Sequence, residues 1–209
     1  RVVAQVNALS PDLVAVTGDL VDGSVRALQQ EVAPLAGLRA PLGVFYVTGN
    51  HEYYHGGEAW AAEVRRLGLT VLHNAHCVVE RGGARLTVAG VTDYDAGRID
   101  PGHASRPDLA LAGAPEGVPR LLLAHQPRTA AQAQGLGVDL QLSGHTHGGQ
   151  MFPFMFFVRL QQPVVQGLKT LYGTRVYTSR GTGYWGPPLR LGPAPEITEL
   201  TLVPEQPRA

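Results

Sequence analysis

The chain has 209 residues, 44% of them apolar and 16% charged, which suits one globular domain over residues 1–209 with a sizeable core. Seventeen basic residues balance seventeen acidic ones with no block of like charge, so no nucleic-acid partner is expected. A lone cysteine, Cys77, excludes an internal disulfide framework and a thiolate-only zinc site, which leaves any metal chemistry to eight histidines and the carboxylates.

Val2, Val3, Val6 and Leu9 recur at helical spacing, so the sequence is expected to begin inside a crossover helix. DLVAVT (12–17) is an apolar run of strand length that ends in Gly18 and Asp19. Ser24 is a candidate N-cap for a helix carrying Val25, Leu28, Val32 and Leu35. GVFYVT (43–48) reads as a second strand and ends in Gly49-Asn50-His51-Glu52, after which Trp60, Val64 and Leu67 mark another helix. In CVVERGGARLTVAGV (77–91), two β-rich runs flank Arg81-Gly82-Gly83-Ala84 and predict an antiparallel hairpin. RLLLA (120–124) delivers His125, and VDLQL (138–142) delivers Ser143-Gly144-His145-Thr146-His147. TRVYTS (174–179) and EITELTLV (196–203) are the closing strands expected. Strands alternating with amphipathic helices imply crossover connections and a largely parallel, buried sheet; with the hairpin added, the prediction is a mixed α/β layered fold with two sheets.

In open α/β sheets, functional groups gather beyond the carboxyl ends of the strands. Four strand ends here carry potential metal ligands: Asp19, Asn50, His125, and the pair His145 and His147. A carboxylate, an amide oxygen and neutral imidazoles suit a borderline divalent metal such as manganese, iron or zinc. Each motif alone has an ordinary reading, since Gly-Asp makes turns and Asn-His makes caps. Their recurrence at four strand ends is what points to one shared metal site. One other zinc chemistry is excluded, since a zinc deaminase needs P-C-x-x-C and the chain has a single cysteine; His51-Glu52-Tyr53-Tyr54-His55 does carry the H-E-x-x-H spacing, but it stands at a strand end among the other candidate ligands.

With Gly18-Asp19, Gly49-Asn50-His51-Glu52, His125 and Gly144-His145-Thr146-His147 in order, the chain resembles the calcineurin-like metallophosphoesterases. Its GHTHGGQ step, the SRGTGYWGPP segment (179–188) and the final EIT are similar to the membrane-attached bacterial branch. The resemblance implies a four-layer αββα sandwich of two mixed sheets flanked by helices. It also implies a hydrolase of phosphoester bonds (phosphodiester, pyrophosphate or monoester) with two divalent cations, Mn, Fe or Zn, and a metal-bound hydroxide as nucleophile. By the same resemblance Asp19 bridges the two metals, Asn50, His125 and His145 complete one shell, His147 belongs to the other, and His51 is catalytic at the leaving oxygen. The family's opening Asp-x-His motif does not precede Asp19, so an opening strand is expected to be missing from this sequence. A degenerate, non-catalytic metal-binding or scaffolding domain is the alternative.

Two further features concern the substrate. MFPFMFFV (151–158) is either a loop folded back on the core or an apolar lip that receives lipid chains or touches a membrane, in line with membrane association of the full-length protein by resemblance. No apolar stretch reaches the roughly 18 residues of a membrane-spanning helix, and no signal-peptide pattern lies within the chain. Arg180, in a glycine-rich loop with Tyr184 and Trp185, is a candidate phosphate ligand.

Overall fold

The computed structural model describes residues 1–203. Nine strands and seven α-helices alternate in the order α1 (Val2–Ala8), β1 (Val14–Val16), α2 (Val25–Val32), β2 (Val44–Tyr46), α3 (Asn50–Tyr54), α4 (Gly57–Arg66), β3 (Thr70–Val71), β4 (Ala75–Arg81), β5 (Ala84–Gly90), α5 (Ala96–Ile99), α6 (Pro107–Ala110), β6 (Arg120–Leu123), β7 (Leu140–Ser143), α7 (Met155–Gln161), β8 (Gly167–Leu171) and β9 (Thr174–Thr178). Strands β1, β2 and β3 form a three-stranded sheet, parallel throughout, and the remaining six form a mixed sheet in the order β4-β5-β6-β7-β9-β8. The expected hairpin is present, with Arg81 paired to Ala84 across Gly82 and Gly83. Both glycines have positive φ, 57° and 82°, as the tightest two-residue hairpin turn requires.

Side-chain alternation builds the layers. Phe45 and Val47 point between the sheets to meet Leu72, Val88, Leu121 and Leu123. Tyr46, between them in sequence, faces the other way and packs with Val32, Trp60, Val64 and Leu67 under α2 and α4. Leu122 and Ala124 likewise turn to the outer face of the six-stranded sheet, onto Ala110, Leu111 and Ala133. The result is two sheets face to face with helices outside, the αββα arrangement expected. Trp60 is fully buried and its indole N–H donates to the Gly23 carbonyl at 2.9 Å, which fastens α4 to the loop that follows β1.

Ser24 occupies the N-cap of α2 as expected, without a side-chain capping hydrogen bond. Two readings of the sequence are corrected. EITELTLV alternates as a strand does, yet residues 196–203 pair with no strand among the described residues, because alternation supplies a face and not a neighbour. The 151–158 run does not fold onto the core: Phe152, Phe154, Phe156 and Phe157 are all exposed. Helix α7 starts two residues after Pro153, where proline is tolerated. No helix among the described residues is long and apolar enough to cross a membrane.

Candidate metal centre

The carboxyl ends of β1, β2, β6 and β7 converge. Asp19, His125 and His145 each present one ligand atom, and the three atoms lie within 4.8 Å of one another. His125 Nε2 stands 2.9 Å from Asp19 Oδ2 and 3.1 Å from His145 Nδ1. The other nitrogen of His125 meets the Thr17 carbonyl at 2.6 Å. A carbonyl only accepts, so Nδ1 carries the proton and donates it, and Nε2 is left for the cluster.

The backbone pays for this convergence with unusual dihedrals. Asp19, His145 and His147 all sit at positive φ (53°, 67° and 49°), a conformation that side-chain-bearing residues adopt only where the surroundings enforce it. Part of the enforcement is steric. A Cβ on Gly18 would come within 2.4 Å of the Gly49 nitrogen, and one on Gly49 within 2.1 Å of Asp19 Oδ1, so the two loops touch only because both residues are glycine. The rest comes from Glu52, which is fully buried and accepts three backbone N–H groups: Gly49 at 2.6 Å, Asp19 at 3.0 Å and Leu20 at 2.7 Å. One carboxylate thereby ties the loop after β1 to the start of α3.

Asn50 opens α3 with its Oδ1 buried and without a hydrogen-bond partner, while its Nδ2 donates to the Tyr54 hydroxyl at 3.2 Å. Asn50 follows Gly49, which abuts Asp19, and an orphaned buried carbonyl oxygen, a carboxylate and two imidazoles are together donors that a hard-to-borderline divalent cation fits. His51 places its backbone N–H on Asp19 Oδ1 at 3.0 Å, and its ring Nδ1 on Asp22 Oδ1 at 3.0 Å. The same Asp22 oxygen also meets His55 Nε2 at 3.0 Å. His147 lies outside the three-residue cluster, with its Nδ1 3.2 Å from Arg190 Nη2.

Electrostatics follow from these contacts. Burial opposes ionisation of Asp19, yet the adjoining His125 ring and the His51 backbone N–H hold its carboxyl below the ordinary range. Burial works against a charged His125 as well, but Asp19 wins and pushes the ring up to about 9. His145 is lowered to about 3 by burial and by His125, and His147 to about 4 by burial and by Arg190. Both are therefore neutral near pH 7, the form that binds metals, whereas a cation at His125 Nε2 takes the place of the proton that Asp19 retains there.

The family is decided by comparison with known proteins. A model of the calcineurin-like phosphoesterases matches residues 1–149. The chain belongs to that family. It is 40% identical over 210 residues to a "Transmembrane protein with metallophosphoesterase domain" of Danio rerio, covering 97% of this chain and 48% of that one. It is 44% identical over 206 residues to an "Uncharacterized metallophosphoesterase" of Helicobacter pylori, covering 98% of this chain and 54% of that one. The chain thus spans about half the length of these curated relatives. Among solved structures it resembles the Haemophilus influenzae NAD nucleotidase (TM-score 0.58, 16% identity, 86% of this chain and 43% of that one) and the Bacillus subtilis calcineurin-like phosphoesterase YfkN (0.52, 17%, 80% and 67%), a likeness of fold.

Several residues at the site were not singled out from sequence. Glu52 had a signal: it stands three positions after the helix N-cap Gly49, where an acid reaches back to the cap. Asp22 and Arg190 had none, because they act across 29 and 43 residues of chain. Arg190 donates to the His147 and Arg180 carbonyls at 3.1 and 2.7 Å and also to that of Gly183, so it pins the glycine-rich loop against His147. Arg180 itself is held by Glu196, Nε to Oε2 at 2.6 Å, and a role in binding phosphate requires Glu196 to release it.

Proposed function

We propose that the chain hydrolyses phosphoester bonds at a centre of two divalent cations, Mn, Fe or Zn, with Asp19 shared between them, Asn50, His125 and His145 on one and His147 on the other. The observation that carries this reading is the convergence of Asp19, His125 and His145, together with the orphaned Asn50 Oδ1. Cations held there supply Lewis acidity and neutralise charge on the phosphoryl oxygens. The protein's own part is positional: Glu52 and the two glycines fix Asp19 and Asn50, and the Thr17 carbonyl sets the tautomer of His125. With Nδ1 turned to Asp22, His51 has Nε2 left to meet the leaving oxygen, where it delivers a proton or steadies developing charge.

Chelator-stripped protein should be inactive on bis(p-nitrophenyl) phosphate, regain turnover with Mn²⁺, and lose it again as Asp19→Asn. Metal binding without turnover would instead mark a non-catalytic metal-binding domain.

The substrate class we infer is a lipid-linked phosphoester, with residues 151–158 in contact with a membrane and the full-length protein membrane-associated. Phe152, Phe154, Phe156, Phe157 and Leu160 are exposed together on and just before α7, a surface that single scattered apolar residues do not make. This α7 follows Gln150 and so adjoins the His145–His147 turn. The name of the Danio rerio relative, a transmembrane protein, points the same way.

A further inference from the structure

A second group of ligand-competent side chains forms a cluster separate from the candidate centre. His73, in the turn after β3, and His103, in the 3₁₀ turn Pro101–His103, converge on Glu58 of α4. His73 Nδ1 and His103 Nε2 are each 4.0 Å from Glu58 Oε2, and all three donor atoms lie within 4.8 Å of one another. Asp100 Oδ2 is 3.7 Å from the same His103 nitrogen.

The tautomers suit a cation. His103 Nδ1 is 3.0 Å from the Tyr53 hydroxyl, and with Nδ1–H donated to that oxygen, Nε2 presents its lone pair to Glu58 and His73. His73 is the anomaly. Its side chain is only 16% exposed, its Nε2 is buried without a partner among the described residues, and its Nδ1 lies 4.0 Å from a Glu58 oxygen, beyond hydrogen-bond reach. A largely buried imidazole normally makes hydrogen bonds, and this one makes none among the described residues.

We propose that Glu58, His73 and His103, with Asp100 as a further carboxylate, form a peripheral site for a zinc-like divalent cation, separate from the phosphoesterase centre. Two imidazoles and a carboxylate make a donor set zinc commonly takes, and bonds of about 2.0 to 2.2 Å put tetrahedral ligand atoms about 3.3 Å apart. Closing each 4.0 Å pair takes about 0.7 Å, which the Glu58 side chain, 61% exposed, supplies, and the two imidazoles, within 4.8 Å of each other, close on the cation by side-chain rotation. Arg65 donates to the other Glu58 oxygen at 3.0 Å, which orients the carboxylate and weakens its pull on a cation. Occupancy would fasten α4, the turn at His73 and the Asp100–His103 segment together behind Tyr53. That tyrosine shares α3 with Asn50 and His51, so the cation braces the helix that carries them.

The test counts zinc in purified full chain by elemental analysis after equilibration against a chromophoric chelator, in the wild type, His73→Asn and Asp19→Asn. We expect His73→Asn to lose about one equivalent, or to bind it at least tenfold more weakly, while Asp19→Asn keeps it and loses metal only from the main centre. Equal stoichiometry and affinity in wild type and His73→Asn would overturn the site, as would loss of that equivalent in Asp19→Asn alone. Should His73→Asn fail to fold by circular dichroism, Glu58→Gln replaces it with the same expectation. Because the readout is binding and not turnover, it stands whether or not the phosphoesterase reading holds.

Discussion

The two sheets hold their shares of the centre by different means. On the three-stranded sheet, Asp19 and Asn50 depend on one side chain, Glu52, which accepts from Gly49, Asp19 and Leu20. On the six-stranded sheet, the loops carrying His125 and His145 are sewn by many weaker links: Gly144 N–H to the His125 carbonyl at 2.9 Å, Ser143 Oγ to the Ala124 carbonyl at 2.7 Å, Gln141 Nε2 to Ser143 Oγ at 2.9 Å, and Ser179 N–H to the Ser143 carbonyl at 2.8 Å. The parallel ladders of β6, β7 and β9 supply the rest. Strands β6 and β7 are each held by a parallel neighbour on both sides, whereas β1 is an edge strand and the loop that follows it needs a clamp. One half of the centre is therefore concentrated in a single carboxylate, and the other is redundant.

The sharpest way to break that contrast is Glu52→Gln. An amide offers one accepting oxygen in place of two and turns N–H groups toward the donors of Gly49, Asp19 or Leu20, so the loss in unfolding free energy should be about 3 kcal/mol, read by denaturant titration. Asp22→Asn is next. The mutant amide can still meet His51 but no longer favours one ring orientation, and kcat on a soluble phosphodiester should fall about tenfold with bound metal unchanged. Ser143→Ala removes one link of the redundant half and should cost about 1 kcal/mol; a loss equal to that of Glu52→Gln would mean the two halves are built alike. The smallest effect is expected from Phe154, Phe156 and Phe157 replaced together by serine. Stability should change by no more than about 0.5 kcal/mol for each surface site, and soluble-ester turnover should hold. Turnover of a phosphoester presented in vesicles should drop, and equal loss on both substrates would refute the lipid-facing role of α7.

What could be read from sequence divides along the same line. Asp19, His125 and His145 were legible because a strand end is a fixed address: an apolar run that stops at a glycine says where the next side chain will stand. The hairpin at Gly82 and Gly83 was legible for the same local reason. Glu52 was half legible, as a helix N3 acid, but not its reach 33 residues back to Asp19. Asp22, Arg190 and the Glu58–His73–His103 group were not, because each depends on which loops the fold brings together. EITELTLV failed in the opposite direction, with a strand's pattern and no strand's partner among the described residues.

The contact between His125 and Thr17 joins residues 108 apart in the chain, one at the end of β6 and the other at the end of β1. It forms only when the two sheets have docked, and loop closure of that length makes docking a late event in folding. A cation bound at His125 therefore discriminates between the docked molecule and every less complete one. Metal affinity becomes a force on the folding equilibrium, adding about 2.7 kcal/mol of stability when the free metal is a hundredfold above its dissociation constant.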